Sequence, residues 1–161
     1  MNKERFTYYK SPLGVITLQS DGEYLTGLHF GERDHTPDNK NAVSVFEQTV
    51  RWLDIYFSGK IPDFTPPIRL DTTPFCKEVC EILQSIPYGQ TVTYGEIAKI
   101  IAARRGIVRM SSQAVGGAVH RNPVAIIIPC HRVIGSDGSL TGYAAGLDIK
   151  EKLLRMEKII N

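Results

Sequence analysis

Cys130 and His131 stand side by side in Pro129-Cys130-His131-Arg132-Val133, and their types offer chemistry that no neighbouring stretch does. A thiolate is a strong, soft nucleophile, and an imidazole can take the thiol proton near neutral pH. A cysteine by itself argues little, because free cysteines often only pack, and neighbours on a strand point to opposite faces. Cys76 and Cys80, four residues apart, could place two metal ligands on one helix face. No further ligand pair accompanies them, so they read as packing residues. Three cysteines make an odd count, and no disulfide framework is expected.

The elements around the pair decide how it is presented. Val124-Ala125-Ile126-Ile127-Ile128 reads as a short buried strand that Pro129 ends, with the loop Gly135-Ser136-Asp137-Gly138-Ser139 beyond. The thiol would then sit where a rigid strand exits the core. Upstream, Thr73 and Pro74 read as N-cap and first position of a helix with the apolar face Phe75, Val79, Ile82, Leu83 and Ile86. Pro87-Tyr88-Gly89 breaks it. Thr93 to Glu96 is a capping box that opens a second helix. A basic loop, Arg104 to Arg109, leads to a short helix from Ser111-Ser112 to Val119, ended by Arg121-Asn122-Pro123. Helix, loop and short helix resemble a helix-turn-helix.

The short helix is nearly bare. Gly116 and Gly117 each cost about 1 kcal/mol against alanine, and Ala114 and Ala118 are also small. Either a second protein element or a ligand surface must come close to its axis. A helix without long polar side chains suits sugar-phosphate walls or a minor groove better than base readout. A last helix is expected from Asp148, capped with Glu151, through Ile149, Leu153, Leu154, Met156 and Ile160, with Glu157 beside its apolar face.

Charge supports an anionic partner. No Asp or Glu lies between Glu96 and Asp137, while that window carries Lys99, Arg104, Arg105, Arg109, Arg121 and Arg132. Six of the 19 Lys and Arg fall there, and the other 13 face all 17 acids, a balance of −4. Nucleic acid is the first candidate. No apolar run is long enough to span a membrane, and the N-terminus lacks a signal-peptide core, so a cytoplasmic protein is expected.

Of the 161 residues, the first third reads as strands then a helix. Val15–Gln19 and Tyr24–Phe30 flank Asp21-Gly22, a tight hairpin signal, and Phe6 to Tyr9 reads as an earlier strand. Arg33 to Asn41 is turn-rich; Val43, Phe46, Val50, Leu53 and Phe57 mark an amphipathic helix with Trp52 near its rim. His29 and His35 read as structural or surface groups. Ser58 to Asp71, with Pro62, Pro66 and Pro67, is the linker candidate. The domains expected are 1–70, with the linker, and 71–161.

Ile128-Pro129-Cys130-His131-Arg132-Val133 resembles the signature of the O6-alkylguanine-DNA alkyltransferases (methylated-DNA–protein-cysteine methyltransferases). Thr73-Pro74-Phe75, Ile86-Pro87-Tyr88-Gly89, Tyr94, Ala114-Val115-Gly116, Asn122-Pro123, Gly138-Ser139-Leu140 and Gly142-Tyr143 match in order over roughly 72–157, with weaker motifs such as Pro12-Leu13-Gly14 before them. The resemblance implies a small α/β, ribonuclease-H-like N-terminal domain (antiparallel sheet plus helix). A mostly α, winged-helix-like C-terminal domain with the helix-turn-helix would follow it. It implies stoichiometric, irreversible transfer of a methyl or alkyl group from O6-alkylguanine in double-stranded DNA to the protein; O4-alkylthymine is left open. No cofactor and no metal are implied, and a monomer is expected.

By that resemblance Cys130 is the acceptor, His131 its base through a water, and Glu157 orients and charge-balances His131. Asn122 braces the turn, and Tyr94 protonates the leaving base. Tyr143 and the backbone near Ala144 and Ala145 line the base pocket. Thr93, Tyr94, Gln113, Ala114, Gly116, Gly117, Arg121 and Arg132 face DNA. Lowering the thiol pKa from about 8.5 to about 6.5 would favour thiolate by roughly 2.7 kcal/mol, with the His–Glu pair and Arg132 as sources. The target base must leave the stack to be attacked. Two departures stand out: Gln113 occupies a position where the family commonly has an arginine, and the loop after the Tyr94 helix is longer than in compact members. A non-catalytic alkyltransferase-like lesion-binding protein is the alternative; a helix-turn-helix regulator and a cysteine hydrolase fit the Pro-Cys-His-Arg turn and bare helix less well.

Overall fold

The computed structural model describes residues 4–33, 37 and 43–161. His35 and most of the Arg33–Asn41 stretch lie outside the described residues. The chain divides into two compact units: Met1–Asp71 with Pro123–Ile127, and Thr72–Asn122 with Ile128–Asn161.

In the first unit, β1 (Arg5–Ser11), β2 (Gly14–Ser20) and β3 (Leu25–Phe30) form an antiparallel sheet in sequence order. Pro12 and Leu13 turn the first hairpin, with Ser11 paired to Gly14. The second connection is wider than the tight turn expected. Asp21 Oδ1 accepts the N–H groups of Glu23 (2.9 Å) and Tyr24 (2.8 Å), and a register shift at Gln19/Ser20 makes room for a four-residue loop. Helix α1 (Ser44–Phe57) covers the sheet with Phe46, Leu53 and Tyr56. Trp52 is buried rather than at the rim, because the helix turns Thr49, Trp52 and Tyr56 inward and leaves Val50 and Phe57 partly exposed.

The apolar run before Pro129 is not a strand. Val124 makes a single bridge to Leu28, and the chain then turns. Ile127 N–H donates to Ala125 O (2.8 Å) around Ile126, whose φ is +68°. A β-branched residue there is strained by something on the order of 1–3 kcal/mol. Its composition signalled burial correctly, but burial here is met by turns whose backbone groups pair locally.

The second unit contains α2 (Pro74–Gln84), β4 (Val92–Thr93), α3 (Tyr94–Arg105), α4 (Ser112–His120), a 3₁₀ turn at Cys130–Arg132, β5 (Val133–Ile134) and α5 (Leu147–Met156). The caps follow from local chemistry. Thr73 accepts from Cys76 N–H, Ser111 accepts from Ala114 N–H, and Thr93 with Glu96 closes the full capping box. Helix α5 starts one residue before the Asp148 cap expected for it. Its N-cap is Gly146 at φ +102°, with no side-chain bond. β4 pairs parallel with β5, Val92 to Val133 and Thr93 to Ile134, which ties the start of α3 to the chain just after Cys130.

Candidate active site

Cys130 opens the 3₁₀ turn. Its N–H donates to Ile128 O (2.8 Å) around Pro129 at φ −82°, ψ 65°, an inverse γ-turn. Asn122 Nδ2 donates to the same Ile128 carbonyl (2.8 Å) and so pins the chain just before the cysteine. One tight turn, rather than a strand end, thus aims Cys130, His131 and Arg132 in three directions, and all three are buried.

Glu157 gathers the groups behind the cysteine. It is the C-cap of α5, where Lys158 at φ +60° and the bond from Ile159 N–H to Leu154 O (3.0 Å) end the helix. Its carboxylate meets His131 Nε2 at 2.5 Å and accepts from Arg132 Nε at 2.8 Å and from Gly89 N–H at 3.1 Å. Burial opposes its charge, but the hydrogen bonds and charges of His131 and Arg132 together hold its pKa down at about 2. Burial also pushes His131 below its ordinary value against the pull of Glu157, leaving a neutral imidazole. Its Nε2–H serves the carboxylate; Nδ1 is buried and takes no protein hydrogen bond.

Arg132 requires a correction. It does not face DNA: it is 8 % exposed, pairs with Glu157, donates from Nη1 to Ile86 O (2.7 Å) and lies over the Tyr88 ring at 5.7 Å. A guanidinium so enclosed balances the Glu157 charge, so Glu157 serves Arg132 as well as the His131 it was expected to orient. Burial raises the Cys130 thiol, opposed by Asn122, Lys150 and Tyr143, against the lowering expected of it, so the resting acceptor is the protonated thiol.

Lys150 is the group that the sequence reading missed. It is fully buried in α5, donating to Val133 O (2.6 Å) and Thr141 O (2.8 Å), with its ammonium 6.0 Å from the Tyr94 ring centre. Burial lowers its pKa to about 8, while the charge of Cys130 works the other way. Its spacing carried a signal: Lys150, Leu153, Leu154 and Glu157 fall at i, i+3, i+4 and i+7, one face of α5. Tyr143 is buried beside the thiol; its hydroxyl has no regular hydrogen bond, and burial first, then Cys130, raises its pKa.

Tyr94 and Thr141, both met by Lys150, stand on the wall of a hollow of about 450 Å³ that Gly95, Ser112, Gln113, Gly116, His120, Ser136 and Gly142 also line. Tyr94 donates to Thr141 O (2.9 Å), which Lys150 also holds, and Thr141 and Gly142 supply this wall; Ala144, whose backbone was expected beside the pocket, is exposed and Ala145 half-buried. His120, Ser136 and Thr141 were not anticipated, since their loops and helix ends meet only in the folded unit. Burial raises the Tyr94 pKa and keeps its phenol protonated.

The bare helix has open space outside it. A Cβ at Gly116 would meet the Tyr94 ring at 3.8 Å, and one at Gly117 would meet Arg121 Nη1 at 3.6 Å, both ordinary contacts. Close helix packing therefore does not demand these glycines. Val115, Ala118 and Val119 face inward, whereas Gln113 and Ala114 are exposed. The Thr93 side chain is occupied in its capping box, and Arg121 is exposed.

A helix-turn-helix whose bare second helix borders a hollow shares its unit with a buried cysteine, histidine and carboxylate, the frame of a DNA-binding protein. The comparisons agree. Residues 74–159 match the model of the 6-O-methylguanine DNA methyltransferase DNA binding domain, and residues 5–71 match the ribonuclease-like domain of the same proteins. The chain belongs to the methylated-DNA–protein-cysteine methyltransferase family. It is 44 % identical to the relative of that name from Methanosarcina acetivorans, over 94 % of this chain and 97 % of the other. With the Haemophilus influenzae relative the identity is 38 %, over 96 % and 86 %. The structure of Mycobacterium tuberculosis OGT in complex with DNA matches at TM-score 0.84 and 40 % identity, covering 96 % of this chain and 92 % of that one.

Proposed function

We propose that this protein repairs DNA by taking an alkyl group from O6-alkylguanine in a duplex onto Cys130, once per molecule. The observation that carries the assignment is the buried His131–Glu157–Arg132 cluster in the same turn as Cys130, which Lys150 joins to the Tyr94 and Thr141 wall of the neighbouring hollow. Burial keeps His131 neutral, and its Nδ1, which takes no protein hydrogen bond, can accept a proton while Arg132 pairs with Glu157. The Cys130 proton passes to Nδ1 through a water. The imidazolium then lies between the Glu157 carboxylate and the new thiolate, and Lys150 and Tyr143 support the thiolate from its other sides.

In the transfer step the sulfur forms a bond to the alkyl carbon as the carbon–O6 bond breaks, and the electron pair leaves with guanine. Tyr94 releases the Thr141 carbonyl and donates its proton to the leaving base. The product thioether has no route back to thiol, so turnover stops. Gln113, Ala114, Gly116 and Gly117 approach the minor groove, with Arg121 at the helix end. The target nucleotide swings out of the stack into the hollow. The protein acts as a monomer in the cytoplasm; no helix among the described residues is long and apolar enough to cross a membrane.

Intact-mass measurement after mixing with duplex DNA containing O6-methylguanine tests this reading. One CH2 gained per molecule, mapped to Cys130, is expected. An unmodified Cys130 despite lesion binding would favour a non-catalytic lesion-binding protein.

A further inference from the structure

The loop joining α3 to α4 has features that the reactive centre does not use. Helix α3 closes with Gly106 at φ +64° and a bond from Ile107 N–H to Ala102 O (3.0 Å). Such a cap is often covered by an apolar contact back to the helix. Here Ile107 is 44 % exposed and Val108 wholly so. Arg105 anchors the loop base, paired to Glu78 at 2.7 Å and lying over the Phe75 ring. Lys99, Arg104 and Arg109 are exposed, and no acidic group among the described residues pairs with them. This apolar tip within a cationic surface fits neither the core nor plain solvent.

Its position points to the occupant. Gly95 and Ser112 line the hollow beside Tyr94, and they also line a second groove that runs past Lys99, Val108 and Arg109. A third hollow, from Arg109 through Met110 to Gln113, joins the loop to the start of the bare helix. The surface is therefore continuous from the lesion hollow to the loop tip. We propose that the 107–109 loop is a second DNA contact, gripping the sugar-phosphate backbone beside the lesion: Arg109 pairs with a phosphate, and Ile107 and Val108 rest on deoxyribose faces. The proposal rests on the DNA-repair reading for its lesion-centred geometry, but it concerns binding to any duplex.

Two variants test it, using undamaged duplex over 50 to 200 mM salt, a range over which phosphate contacts are expected to weaken. Arg109→Ala should weaken binding on unrelated sequences alike and reduce the salt slope by about 1. Val108→Glu replaces a wholly exposed side chain, so its melting temperature should match wild type. It should bind about tenfold more weakly at low salt, with the gap narrowing as salt rises. Wild-type affinity and slope in both variants would overturn the loop contact. Normal salt-dependent binding with no alkyl on Cys130 would instead count against the repair reading alone.

Discussion

Arg109 and Arg132 come from the same acid-free stretch, yet the fold uses them in opposite ways. Arg132 is enclosed by Glu157, the Ile86 carbonyl and the Tyr88 ring, where its charge is spent inside the protein. Arg109 stands on an exposed loop beside Val108. Arg105 falls between them, partly exposed but paired with Glu78. A count of basic residues therefore overstates the charge offered to DNA: two of the six in the window are matched by acids from outside it. The inner region sets protonation states in a buried cluster, and the outer region supplies shape and attraction. Substitutions in the inner region should alter chemistry or stability, and those in the outer region should alter duplex binding.

The sharpest separation comes from Cys130→Ser. A hydroxyl is a much poorer nucleophile toward an alkyl carbon, and nothing in the inner cluster would ionise it. Adduct formation should become undetectable by intact mass, while duplex affinity and its salt slope stay near wild type. Methyl transfer surviving at Cys76 or Cys80 would break the assignment of the inner region.

Glu157→Gln should be the most costly change to stability. It leaves the buried Arg132 charge without its partner, a loss of about 3–5 kcal/mol readable by urea unfolding. The acid limb gives a second reading. Glu157 is held at about 2 against an ordinary 4.5, so its contribution is full above pH 4.5 and is lost as pH falls toward 2, about 3 kcal/mol in all. The variant should lack that loss. His131, kept below its ordinary 6.5, adds a separate loss that begins as pH falls under 6.5, and the variant should retain it.

These residues also mark how far the sequence could be read. Caps were legible because each is made by residues within one turn: Thr73, Thr93 with Glu96, and Ser111 all cap as their types suggest. The pairing of Cys130 with a histidine and a distant glutamate came through family resemblance, which carries the long-range information that local patterns lack. Ile126 shows the limit. Its type favours a strand, while its left-handed backbone is imposed by the fold. Arg132 and Lys150 were misread or missed for a related reason. Their partners, Glu157, Ile86, Val133 and Thr141, lie between 9 and 46 residues away, and a charged side chain turned inward looks in sequence like one turned outward.

Lys150→Met should have an intermediate effect. It removes a positive charge near Cys130 and the two bonds that hold Val133 and Thr141. The single-turnover rate should fall about tenfold at pH 7, equivalent to about 1.4 kcal/mol. Lys150 loses its charge as pH rises past about 8, so the ratio of wild-type to variant rates should shrink between pH 7 and 9. A ratio that stays constant would make Lys150 a loop brace without an electrostatic part.

The smallest effect, and the one that most directly probes the outer region, is expected at Gln113. Its side chain is exposed at the second position of α4 and borders both the lesion hollow and the groove toward Arg109. From there an amide can enter the space left by the flipped base and hydrogen-bond the orphaned partner, but it brings no charge to the duplex. Flipping costs a few kcal/mol, less for a poorly paired alkylated guanine, so loss of one uncharged filler should slow the reaction without stopping it. Gln113→Ala should lower the single-turnover rate on duplex lesion several-fold and spare reaction with free O6-benzylguanine. Gln113→Arg should tighten duplex binding and steepen its salt slope by about 1, as one added phosphate contact requires. Equal slowing of Gln113→Ala on duplex and free base would place Gln113 in the pocket's own architecture. An unchanged duplex rate would move the gap-filling role away from α4, and the Arg104–Arg109 loop is the nearest exposed segment able to take it.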